Sequence, residues 1–137
     1  MNDCVFCRIV AGQIPATVVH EDEHTLAFMD IGQVNPGHTL VALKAHAENI
    51  YALADDQAAA VAQASARVAR AIRESFAPQG LSVYQANGAP AGQTVFHYHV
   101  HLLPRYDGDG MQLTWLVKNP AREKLEEYAQ EIRTALR

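Results

Sequence analysis

The stretch Thr94-Val-Phe-His-Tyr-His-Val-His-Leu-Leu-Pro-Arg105 sets histidines at 97, 99 and 101, every second position of an otherwise apolar, β-prone run. Alternate side chains of a strand point to opposite faces, and a rise of about 3.3 Å per residue puts three such histidines on one face at roughly 7 Å intervals. Phe96, Tyr98, Val100 and Leu102 are then expected on the opposite, buried face. Pro104 has no N–H to give a ladder, so it should end the strand or sit at an edge. A single strand histidine is an ordinary satisfied polar residue. Three on one face repel one another once protonated and cost free energy if buried without partners, so the pattern suits metal binding, proton transfer or attack on an electrophile.

The chain delivers this strand from Asn87-Gly-Ala-Pro-Ala-Gly-Gln93, which alone reads as a hairpin loop. Beside three histidines, with Asn87, Gln93 and Thr94 as neutral hydrogen-bonding groups, its glycines make it a candidate phosphate cradle. Leu81–Gln85 precedes it as a strand. From Asp55 to Phe76, apolar Val61, Ala64, Val68, Ile72 and Phe76 recur at three- and four-residue intervals, which predicts an amphipathic helix with Asp55 as its N-cap. Further upstream, Thr17–His20 and Thr25–Asp30 flank the acidic turn Glu21-Asp-Glu23 as a hairpin. Asn35-Pro-Gly37 is a turn, and His38–Leu43 a third strand that runs into Lys44-Ala-His46. Asp30, at a strand end, is either a solvated turn residue or an acceptor for a ribose diol. Downstream, Met111–Val117 is an apolar run holding the one tryptophan, Trp115, expected in the core or at a subunit contact. Asn119-Pro120 should supply the N-cap and first residue of a last helix striped by Leu125, Tyr128, Ala129, Ile132 and Leu136. The order predicts an α+β fold, a mainly antiparallel sheet of about five strands with one long helix packed on it and a C-terminal helix.

A chain of 137 residues with 49% hydrophobic content fits one domain, 1–137, with a core that needs no disulfide. Its formal charge of −4 and lack of a basic stripe argue against nucleic acid as a partner. The N-terminus lacks a signal peptide's basic and apolar segments and no apolar run is long enough to span a bilayer, so no membrane role and a cytoplasmic location are expected. Thiols are kept reduced there. Cys4-Val-Phe-Cys7 is then half of a tetrahedral zinc site, a redox pair or two unpaired thiols.

Gly92-Gln-Thr-Val-Phe-His-Tyr-His-Val-His-Leu-Leu-Pro-Arg105 resembles the His-x-His-x-His signature of the histidine triad (HIT) nucleotide hydrolases and transferases. Cys4–Pro15 resembles that family's N-terminal segment, Leu26-Ala-Phe-Met-Asp-Ile31 its ribose-binding strand, and Pro36-Gly-His-Thr-Leu-Val41 with Lys44 and His46 the block that follows. Bacterial-type members are similar through Trp115 and the last helix. Met29 stands where some eukaryotic-type members carry histidine. Thr94 replaces a serine common in the phosphoramidase branch and shared as threonine by the dinucleoside-polyphosphate branch, which leaves the subfamily open.

The resemblance implies that His99 attacks the α-phosphorus of a nucleotide conjugate, an adenosine phosphoramidate or a dinucleoside polyphosphate, to give a covalent nucleotidyl-histidine that water resolves to the monophosphate. It implies that the carbonyl of His101 receives the Nδ1–H of His99, while the His101 side chain, Asn87, Gln93 and Thr94 bind the phosphate or leaving group. It implies that Asp30 takes the ribose hydroxyls and that Phe28, Ile31 and Val18 contact the base. Cys4, Cys7, His46 and His97 would hold a structural zinc, and two copies would form a homodimer. Two other readings stay open: a hydrolase whose three triad histidines bind a catalytic zinc, and a nucleotide-binding regulatory module with little turnover.

Overall fold

The computed structural model describes residues 3–112 and 114–137; Leu113, inside the expected Met111–Val117 run, lies outside the described residues. Helix α1 (Val5–Val10) leads into strands β1 (Val18–Glu21), β2 (Thr25–Met29) and β3 (Thr39–Leu43). Helix α2 (Asp55–Phe76), strands β4 (Gly80–Tyr84) and β5 (His99–Arg105) and helix α3 (Arg122–Ala135) follow, with single 3-10 turns at Ile50–Ala52 and Ala89–Ala91. The strands form one antiparallel sheet in the order β1-β2-β3-β5-β4.

Helices cover both faces of this sheet's centre, which is why β2 and β3 read as apolar runs without clean alternation. On one face α2 buries Val61, Ala64, Val68 and Ile72 against Ala27, Val41, Leu43, Val100 and Leu102. Each large aliphatic side chain so buried contributes about 1.5–3 kcal/mol. On the other face Phe6 of α1 packs with Leu26, Phe28, Leu40 and Ala42. His99 and His101 leave β5 on this second side, opposite Val100 and Leu102. The turn before β3 holds the sheet's far end close to α2: Gly37 has φ +97°, and a Cβ there would lie 3.1 Å from the Phe76 ring and 3.3 Å from Pro104.

Several expectations need correcting. The histidine strand begins at His99, because the chain bends over residues 95–97, and Phe96 is 43% exposed instead of buried. Pro104 lies inside β5, paired with Leu81. It is tolerated because β3 has already ended opposite Leu102 and Asn35 Nδ2 donates to the Pro104 carbonyl at 2.8 Å, so the missing N–H falls where no ladder partner stands. The N-cap of α2 is Ala54, whose N–H donates to Gln57 Oε1 at 3.0 Å, with Asp55 the first helical residue. Helix α3 starts after Ala121, not Asn119; Pro120 keeps the residue before it extended. Helix α1 was not anticipated. Its N-cap is Cys4, whose Sγ accepts the Cys7 N–H at 3.4 Å.

Trp115 is 80% exposed and outside the core, and α3 buries no residue, so its stripe of Leu125, Tyr128, Ile132 and Leu136 faces outward. Among the described residues no helix is long and apolar enough to cross a membrane.

Candidate active site and metal centre

The bend ahead of β5 gives the three histidines different surroundings. His97 is fully buried and turns toward α1, where its Nδ1 lies 3.3 Å from Cys4 Sγ and 3.5 Å from Cys7 Sγ. His46, just past β3, brings its Nδ1 to 3.3 Å from Cys7 Sγ. A tetrahedral zinc with S and N ligands holds them roughly 3.5 Å apart, which these separations match. Behind His97, its Nε2–H donates to the Leu43 carbonyl at 2.6 Å. That bond puts the proton on Nε2 and leaves the Nδ1 lone pair directed at the thiols, the arrangement of a metal-ligating imidazole. Cys4, Cys7, His46 and His97 therefore form a group that could hold a metal ion.

His99 is oriented by a different acceptor. Its Nδ1–H donates at 2.6 Å to the carbonyl of His97, not that of His101. The His97 carbonyl is available because the ladder with β3 starts only at His99, opposite Ala42. The Phe6 ring stands edge-on to His99 with centroids 4.9 Å apart. Burial lowers the basicity of both His97 and His99, so each is neutral near pH 7.

A third group was not anticipated. His38, at the entry to β3 and 3% exposed, has Nε2 2.9 Å from His101 Nδ1 and 3.4 Å from Asp30 Oδ2. The Val34 N–H donates to His38 Nδ1 at 3.3 Å. Nδ1 is then the acceptor, so Nε2 carries the proton and donates it to His101 Nδ1. His101 in turn keeps its own proton on Nε2. Burial first, then repulsion from His99 and His38, hold His101 down to about 4 against the pull of Asp30. Asp30 Oδ1 accepts the Gly32 N–H at 2.8 Å, which fixes the carboxylate at the end of β2. The only sequence trace of this relay was the Pro36-Gly-His38 turn; its meaning depends on Leu40 pairing with His101 across β3 and β5.

These groups border a cavity of about 540 Å³, within the range of small-molecule sites. Phe6, Ile9 and Ile14 from the N-terminal segment, Phe28, Asp30 and Ile31 from β2 and beyond, and Thr94, His99 and His101 line it. Asn87, Gln93 and Val18 are not on its wall. Gln93 is buried, its Oε1 accepting the Gly88 N–H at 2.7 Å and its Nε2 donating to the carbonyls of Glu48 at 2.7 Å and Val95 at 3.1 Å. Asn87 Oδ1 accepts the Ile50 N–H at 2.8 Å. Both amides brace the loop from behind. Among the described residues, the three triad histidines form no common metal group: His97 belongs with the cysteines and His101 with Asp30 and His38.

Known proteins resemble this chain in sequence and in fold. The HIT domain matches residues 11–108. The protein called Protein hit from Bacillus subtilis is 52% identical over 115 residues, 83% of this chain and 79% of its own. An adenylylsulfatase, HINT3, of Arabidopsis thaliana is 30% identical over 125 residues, 91% of this chain and 62% of its own. A crystal structure of a HIT family protein from Bacillus anthracis superimposes with a TM-score of 0.96 at 41% identity, covering 99% of both chains. A zinc-bound histidine triad family protein from Mycobacterium smegmatis does so with a TM-score of 0.76 at 35% identity, covering 98% of both. With the alternating histidines, the antiparallel sheet and these likenesses in agreement, the chain belongs to the HIT domain family.

Proposed function

We propose that this protein is a nucleotidyl hydrolase or transferase in which His99 Nε2 attacks the α-phosphorus of a nucleotide conjugate. The observation that carries the reading is the His99 Nδ1–H bond to the His97 carbonyl, which keeps the proton off Nε2 at the cavity wall. As the bond from Nε2 to phosphorus forms, the bond to the leaving group breaks, and that group departs with the electron pair and takes a proton from water. The His101 Nε2–H donates to a phosphate oxygen and stabilises the charge that builds there. Water then attacks phosphorus, the P–N bond breaks with its electrons returning to Nε2, and the nucleoside monophosphate leaves. Asp30 accepts from the ribose hydroxyls, Phe28 and Ile31 contact the base, and Thr94 binds the phosphate. Asn87 and Gln93 act by shaping the loop that presents Thr94.

No lysine or arginine is among the residues lining the cavity, and Asp30 is its one ionic side chain apart from the histidines. That wall favours a singly charged phosphoramidate with an amine leaving group over a dinucleoside polyphosphate. Cys4, Cys7, His46 and His97 would hold one zinc ion per chain, which would tie α1 to the segment before β5. Two reduced thiols as ligands suit the cytoplasm. Residues 1–137 act as one domain, and the outward stripe of α3, with Trp115, is covered by a second copy in a homodimer, to be read by sedimentation.

The test is to incubate the protein with an adenosine phosphoramidate or a diadenosine polyphosphate, quench in base and search for AMP mass on the peptide carrying His99. An adduct that survives chelator treatment is the expected result. Loss of all turnover to chelator with the fold intact would assign catalysis to the metal, and binding without product over hours would make the protein a nucleotide-binding module.

A further inference from the structure

Tyr84 closes the edge strand β4 directly across from His101 in the ladder. Its two ends reach two different parts of the site. The ring lies against the His101 imidazole, with centroids 5.7 Å apart and planes at 64°. The hydroxyl donates to the Ala91 carbonyl at 2.9 Å. The same oxygen covers Gly92, where an added Cβ would come within 2.8 Å of it and where φ is +98°. The loop beneath that hydroxyl is self-braced: Ala91 and Gly92 donate back to the carbonyls of Gly88 and Ala89 at 3.1 and 2.9 Å, and Gln93 ties off its end. One residue further on is Thr94, on the cavity wall. The catalytic reading above gives Tyr84 no part.

We infer that Tyr84 is a positioning residue with a divided role: its hydroxyl holds the Ala91–Gly92 turn and so places Thr94 against the phosphate, while its ring seats the His101 imidazole. This rests on the proposed nucleotidyl chemistry for its kinetic consequences but not for its structural ones. A hydroxyl-to-carbonyl bond is the loop's tie to β4, and a tie of that strength changes local opening about fivefold. The ring restricts His101 from the β4 side while His38 holds it from the β3 side, so the seat of the imidazole depends on both neighbours.

Tyr84→Phe and Tyr84→Leu separate the two halves. Phe keeps the ring and drops the hydroxyl: KM for the adenosine phosphoramidate and Kd for AMP should rise about fivefold, amide exchange at Gly92 and Gln93 should quicken by a similar factor, and kcat should stay within twofold. Leu drops both and should lower kcat about tenfold as well. If both variants show the parent's KM and the parent's loop exchange, or if Phe lowers kcat as much as Leu, the divided role is wrong. Should the parent protein show no turnover, the nucleotidyl reading fails, and AMP affinity and loop exchange in the two variants still decide the role of Tyr84.

Discussion

Two clusters in this protein have nearly the same ligand-like spacing and opposite hydrogen-bond polarity. Cys4, Cys7, His46 and His97 lie on one side of His99, and Asp30, His38 and His101 on the other, each with its ligand atoms within 4.8 Å of one another. What stands behind the imidazole distinguishes them. Behind His97 is the Leu43 carbonyl, which takes the Nε2–H and turns a lone pair toward the thiols. Behind His38 is the Val34 N–H, which occupies the Nδ1 lone pair and turns a proton toward His101. Spacing alone therefore does not separate a metal ligand from a proton relay; the polarity of the neighbouring backbone group does.

The hardest test of this comparison falls on His99, which stands between the clusters. His99→Asn removes the attacking nitrogen and should lower turnover by at least about 10³-fold while AMP binding, read by calorimetry, stays close to the parent's. Unchanged turnover would take both clusters out of the chemistry. Next, His38→Ala removes the donor that sets the His101 tautomer, and kcat should fall about 10²-fold with zinc content by X-ray fluorescence unchanged. A loss of zinc in that variant would mean the two clusters are not separate. Cys4→Ser should do the reverse. It should abolish stoichiometric zinc and lower the unfolding midpoint by about 10 °C, with a smaller, roughly tenfold, effect on turnover through the loosened α1.

The smallest effect is the pH response. His99 and His101 are held below the ordinary histidine value in the folded chain, His101 at about 4. Between roughly pH 6.5 and 4 the unfolded chain therefore binds protons that the folded one refuses, so their contribution is full above pH 6.5 and is lost as pH falls. The urea midpoint should drop by about half a molar from pH 7 to pH 5. A midpoint that rises over this interval would place these imidazoles in a charged, paired state instead.

Much of this was legible before any fold was known. The alternation from Phe96 to Leu102 marks the histidine face, the 3.6-residue period marks α2, and the turns at 35–37 and 87–93 mark where strands reverse. The misreadings have local causes. Alternation puts Phe96 in the core because it does not register the bend, and the six residues of α1 are too few for a period to emerge. His38 reads only as the first residue of a strand, because the partner that gives it a role is 63 positions away.

By itself the sequence determined which residue types could react and, through local periodicity, which shared a face. Only the tertiary structure decided what each imidazole does with its two nitrogens. A tautomer is set by whichever carbonyl or N–H approaches from behind, and for His97 that carbonyl, Leu43, lies 54 residues away in the chain.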